Sequence, residues 1–449
     1  YALTTASNNT AVGSDALKTN TTGTQNVAVG SVSLDANTTG NYNTAVGDNA
    51  MTNNTTASSN TAMGQGALQN NTTADSNAAF GRNALQLNTT GAGNVAVGAF
   101  ALDANTTGAG NVALGMNALS ANTTADQNTA LGRNAMLSNT TGAANTAVGH
   151  QALDSNTTAS NNTAIGKDAL AANTTGADNV AMGVNSLDAN TTGNYNVSIG
   201  TAALTSNTTA SNNVAVGQSA LSVNTTGASN VAVGANALDA NTTANNNTAI
   251  GYTSLSANTT GSENTAVGYQ ALLTATTAAN NTAVGMNSLA LTTTGANNTA
   301  VGKSALVSNT TGASNVAVGS LSLASHTTAN SCTAVGYNAL NANTTGANNT
   351  ALGAGALDLN TTGDLNVAVG SGSLDANTVG DRSVAVGYAA LGAQNPSSNE
   401  DMLNTAVGYN SGGAVTTGIK NTFIGATAGD STTTANHNTA LGFNSLGLN

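Results

Sequence analysis

Three histidines and one cysteine are the residues of this chain whose types could do nucleophilic or metal chemistry. His150, His326 and His437 lie far apart and in different sequence contexts. No Ser or Cys nucleophile is paired with any of them by spacing, so the nucleophile-plus-base arrangement is missing. Cys332 stands alone, which excludes an intrachain disulfide and a multi-cysteine metal site within one chain. No catalytic, cofactor-binding or metal-ligating residue is assigned, no cofactor is expected, and the chain is read as a non-enzyme.

Two polar patterns could carry other chemistry. Asn-Thr-Thr recurs throughout, as at Asn37, Thr38 and Thr39, and is formally an N-glycosylation sequon, as is Asn161, Asn162, Thr163. If the Asn residues stack in register they instead form side-chain amide ladders, with Asn followed by Thr suiting a turn. Paired Thr also raises ice binding by a hydroxyl array, although adjacent residues of an extended segment face opposite ways, leaving one rank per side. Asp35, Asp103, Asp154, Asp188, Asp239, Asp358 and Asp375 share one repeat position, and only the last two fall in consecutive copies. Spacing like charges apart limits their repulsion.

The elements that position these residues follow from an internal repeat. A block Asn-Thr/Val-Ala-Val-Gly begins at Asn9 and returns every 17 residues for 23 copies, then resumes at Asn404, Asn421 and Asn438. The closing Gly (Gly30, Gly47) is invariant in all 26 copies, and the Ala two residues earlier (Ala28, Ala45) yields only to Ser198 and Phe423. Three residues after the Gly stands Ala or Ser, and next Leu or Met (Leu34, Met51), except at Gly412 and Gly429. Gly, Asn and Thr are weak helix formers and no 3.6-residue apolar stripe exists. Short blocks separated by turns predict an all-β parallel β-roll or β-solenoid of 17-residue coils, with two short strands per coil. At ~4.8 Å per rung, 26 rungs predict a length of roughly 125 Å.

Alternation predicts that Thr44 and Val46 share one face and Ala45 the other, and that Ala50 and Met51 oppose each other. The large ladder (Val29, Val46, Leu34) is expected inside. The Ala/Ser ladder is then left outside as an apolar stripe, which predicts that further copies cover it in a homotrimer. Ala28, Ala45, Val29, Val46, Gly30, Gly47, Leu34, Asn37 and Thr38 are the structural ladder residues.

Charged residues are 6% and aromatics 3% of the chain, with no Trp and one Pro. A net charge of −12 with only seven Lys and Arg leaves no basic patch for nucleic acid. No apolar run approaches the ~18 residues of a spanning helix, so no membrane insertion by this segment is expected. The chain opens at Tyr1 with no Met or signal-peptide pattern, as expected of a mature product or a fragment.

Blocks such as Asn26-Val27-Ala28-Val29-Gly30 followed by Ser33-Leu34, and Asn162-Thr163-Ala164-Ile165-Gly166 followed by Ala169-Leu170, resemble the head repeats of YadA-like trimeric autotransporter adhesins. Similar repeats occur in phage fibre proteins. The resemblance implies a left-handed parallel β-roll, three chains around one axis, and display on a bacterial or virion surface for attachment. This chain departs from the pattern in its longer repeat and its lack of a neck motif, heptad stalk or membrane barrel, and no receptor-binding residue is carried over. The expected function is a structural and adhesive segment of an extracellular fibre, a spacer with a multivalent surface, with itself and a host or target cell surface as partners. An ice-binding solenoid and a phage tail-fibre shaft are the alternatives.

Four extra residues near Asn395, Pro396 and Ser397 break the register. They divide the chain into a regular rod (1–394), a loop (395–403) expected to protrude, and three more degenerate repeats (404–449) expected to pack differently. Isolated aromatics such as Tyr42, Phe80, Phe100 and Tyr195 are the other exceptions to uniformity.

Overall fold

The computed structural model describes residues 5–447, so Tyr1 and the final Asn449 lie outside the described residues. The chain divides into two units, 1–226 and 227–449. The first carries strands β1 (Thr10–Val12) to β13 (Val214–Val216), and the second β14 (Val231–Val233) to β26 (Thr439–Leu441), each of three residues. Within each unit, successive strands pair in parallel, position for position. In the first, β2 (Val27–Val29) sets Val27, Ala28 and Val29 opposite Thr44, Ala45 and Val46 of β3 (Thr44–Val46). In the second, β17 (Thr282–Val284) pairs in the same way with β18 (Thr299–Val301). Each unit is a parallel β-solenoid of 17-residue coils.

Each coil contains one strand, where two were expected. The segment after the Gly is a turn built from left-handed residues: Val32 has φ 55° and Leu34 φ 53°, and Leu is left-handed in coil after coil. Holding a non-glycine residue there costs roughly 1–2 kcal/mol. Burying Leu34 completely returns roughly 1.5–3 kcal/mol, and its N–H donates to the Ala50 carbonyl of the next coil at 3.0 Å. Because the chain curls here, neighbours do not alternate between faces. Ala50 and Met51, expected to oppose each other, are both fully buried.

The strand is also turned over relative to expectation. Ala28 and Ala45 point inward and are fully buried, whereas Val29 and Val46 face outward and are half-buried. The Ala/Ser ladder is therefore core, and the exposed apolar stripe is the Val/Ile/Leu/Met rank at the third strand position. The reason is cross-section: Leu34, Ser33 and the amides of Asn26 and Asn37 already fill the coil. A methyl is what remains to be accommodated opposite them.

The invariant glycine answers to the same crowding. Gly47 has φ 141°, and a Cβ there would lie 2.5 Å from the Gly64 carbonyl oxygen one coil on.

The four-residue excess is absorbed without loss of pairing, since β23 (Val384–Val386) matches Val384 to Thr405 of β24 (Thr405–Val407). Residues 397–401 are exposed, but Pro396 and Met402 are buried. Both pack over Gly380, where a Cβ would meet Met402 Cγ at 2.9 Å and Pro396 Cγ at 3.0 Å. Outside, Arg382 Nη1 pairs with Asp401 Oδ2 at 2.7 Å. A large change in the core follows in β25 (Thr422–Ile424), where Phe423 replaces the inward Ala and is fully buried. Its ring uses the space left by two missing leucines: a Cβ at Gly412 would lie 2.9 Å from Phe423 Cδ2, and one at Gly429 2.5 Å from Cδ1.

Candidate functional site

Two buried asparagine ladders run through the coils. In the first, Asn37 Nδ2 donates to Asn20 Oδ1 at 2.8 Å and to the Gly40 carbonyl at 3.1 Å, and Asn54 Nδ2 donates to Asn37 Oδ1 at 2.9 Å. The second ladder is formed by the Asn that opens each block. Asn43 N–H donates to Asn26 Oδ1 at 2.9 Å and Asn43 Nδ2 to the Ala57 carbonyl at 2.8 Å. These amides satisfy the carbonyls that the curled turns leave inside the coil, where an unpaired polar group is costly.

The exceptions in these ladders are legible one by one. Thr292 accepts from Asn309 Nδ2 at 3.3 Å. Ala275 offers no donor, and Asn258 Oδ1 is buried without a partner. His326 is fully buried, with Nδ1 3.0 Å from Asn343 Nδ2 and Nε2 2.8 Å from the Ala329 carbonyl. The amide must donate and the carbonyl must accept, so the ring is neutral with its proton on Nε2. Desolvation pushes its pKa below the usual histidine value, opposed by the Ala329 hydrogen bond. Neither ring nitrogen donates to Asn309 Oδ1, which is also buried and unpartnered.

Cys332 occupies the second ladder, and its thiol donates to the Gly346 carbonyl at 3.2 Å. Burial pushes the thiol up to about 11, which removes its thiolate chemistry at neutral pH. His150 is half-buried with Nε2 2.7 Å from Arg133 Nη2, and His437 is exposed in the second unit. The three histidines are not brought together. Among the described residues, no group of three or more His, Cys, Asp or Glu could hold a metal ion.

In Asn-Thr-Thr the Asn is buried with its amide engaged, so a glycan cannot be attached to Asn37 in the folded coil. Asn161, first residue of the other sequon form, is exposed. Thr38 is half-buried and its hydroxyl donates to the Thr55 carbonyl at 3.1 Å, while Thr39 is exposed. One rank of Thr therefore faces solvent. At the recurrent acidic position, desolvation raises the carboxyls of Asp103, Asp154, Asp188, Asp239, Asp358 and Asp375. Asp375, one coil away, adds its charge to the rise at Asp358.

The outward surface is the candidate functional site. On consecutive coils of the first unit Val97, Leu114 and Leu131 are 37%, 37% and 45% exposed, and in the second Val284, Val301 and Val318 are 36%, 37% and 36% exposed. Beside this rank, the position after the Gly carries Tyr252, Tyr269, Tyr337, Tyr388 and Tyr409 in the second unit, all exposed. Tyr252 stacks on Tyr269 with ring centroids 5.8 Å apart, and Tyr388 on Tyr409 at 5.4 Å. The recurrence of Tyr at one repeat position was the available sequence signal for these pairs. In comparisons with known proteins, no family model and no curated protein matches the chain.

Proposed function

We propose that this chain is a structural and adhesive segment of an extracellular fibre, displayed on a bacterial or virion surface, in which three copies associate along their solenoids. The observation that carries this reading is the outward Val/Ile/Leu/Met rank, repeated on coil after coil within each unit. A contiguous apolar stripe on a surface is the kind of feature that marks an association site. A second copy of the same chain offers an identical rank at the identical coil spacing, so coils match along the whole contact. Uniform coils suit a spacer, and a repeated surface suits weak multivalent attachment to a host or target cell, where effective concentration replaces single-site affinity.

Light scattering in native buffer tests the association: the expected mass is three times that of one chain. A monomer would overturn it. Replacing Val284, Val301 and Val318 together by Lys should dissociate the assembly while the strand signal in circular dichroism persists. Adhesion is tested by loss of cell attachment on deleting the gene. The exposed Thr39-type rank favours ice binding as a second reading, for which thermal hysteresis is the test.

A further inference from the structure

One place on the second unit departs from the uniform coil in a way that makes a cavity. A notch of about 390 Å³ is lined by Ser371, Gly372, Asp375, Tyr388, Gly392 and Asn410, among others. It exists because side chains are missing. Gly392 and Gly413 occupy a position where most other coils carry a side chain, such as Asp, Gln, Ser or Leu; Gly392 leaves bare backbone on the floor of the notch, and the Asn410 side chain lies over Gly413.

Its wall is a tyrosine with one face already used. Tyr409 stacks on Tyr388 from the following coil at 5.4 Å. On the preceding coil the matching position is Ser371, whose carbonyl accepts from Ala389 N–H at 3.0 Å, so only a small side chain borders the other face. A ring placed there continues the stack at the ~4.5–7 Å separation that aromatic faces prefer.

We propose that this notch is a saccharide subsite, taking one neutral pyranose ring on the free face of Tyr388. A pyranose has an apolar C–H face to lie on the phenol ring and hydroxyls around its edge. The Ser371 hydroxyl and the Asp375 carboxylate, both on the coil that borders this face, supply the few polar groups such a site needs. The Asp375 charge and the chain's net charge of −12 disfavour an acidic sugar. The other stacked pair provides an internal control, because the positions equivalent to Gly392 and Gly413 carry Ser256 and Leu273 beside Tyr252 and Tyr269. This inference is independent of the trimeric association.

Saturation-transfer NMR on the full chain with methyl glucoside, methyl galactoside and methyl N-acetylglucosaminide tests it. The expected result is saturable transfer from at least one of them at millimolar concentration, unchanged in Tyr252→Ala. It should be lost in Tyr388→Ala and in Gly392→Leu, the latter filling the notch with a residue that the same position carries at Leu137 and Leu273. Circular dichroism melting near that of the parent confirms that both variants fold. Absence of transfer from all three sugars, or transfer that survives either substitution, overturns the proposal.

Discussion

Asn258 holds a buried Oδ1 with no partner because the residue one coil on, at the position that elsewhere supplies the amide donor, is Ala275. Asn258 Nδ2 is still spent correctly, on Asn241 Oδ1 at 3.0 Å and the Gly261 carbonyl at 2.9 Å. At this coil the ladder therefore fails at a single acceptor. Ala275→Asn should restore it and slow amide hydrogen exchange in the flanking coils about five-fold, for a local gain of about 1 kcal/mol. Unchanged or faster exchange would contradict the ladder's energetic role.

His326 makes the same ladder sensitive to pH. Its pKa is lowered in the folded chain, so the unfolded chain binds more protons as pH falls below the ordinary value of about 6.5. The stability of the surrounding coils is thus full above that pH and declines below it. His326→Asn should abolish this decline between pH 7.5 and 5.5, and should give Asn309 Oδ1 a donor. Exchange rates of residues 309–343 at the two pH values measure both effects.

Phe423 predicts a three-residue compensation. Phe423→Ala alone leaves a cavity and should destabilise the last coils by about 3–5 kcal/mol. Adding Gly412→Leu and Gly429→Leu should recover most of that loss, because both glycines are left-handed, with φ 60° and 67°, as leucines of other coils are. Gly429→Leu in the presence of Phe423 should destabilise instead, its Cβ meeting the ring. Thermal melting of the three variants beside the parent decides whether the three positions act as one core.

Cys332 should resist iodoacetamide at pH 8 in the folded chain and react fully in urea. With the thiol near 11, only about a thousandth would be thiolate at that pH, and burial blocks access to it. Fast labelling without denaturant would show that the coil opens there.

Much of the coil was legible in the sequence because repetition within one chain substitutes for comparison between chains. The period, the parallel stacking and the intolerance of the Gly position all follow from the blocks at Asn9 to Asn438. The direction of the side chains did not. Leu34 and Tyr42 are left-handed at φ 53° and 59°, a conformation those residue types disfavour when isolated, so the curl that buries Ala50 beside Met51 left no local signal. Val46 also reads as core by its chemistry. It lies outside because Asn43 and Asn37, polar by type, occupy the interior by satisfying carbonyls. The notch beside Tyr388 depends on glycines in two coils meeting a tyrosine through the stacking register, a coincidence visible only once coils are superposed.

The asparagine ladder is also an arrow. Each later coil donates and each earlier coil accepts, from Asn37 to Asn20 and from Asn54 to Asn37, with no reversal among those bonds. Severing either unit between two such coils would leave spare acceptors on the earlier fragment and spare donors on the later one. The pieces would be complementary in one orientation and mismatched in the opposite one, so the same amides that hold neighbouring coils together also dictate that any rejoining proceeds head to tail.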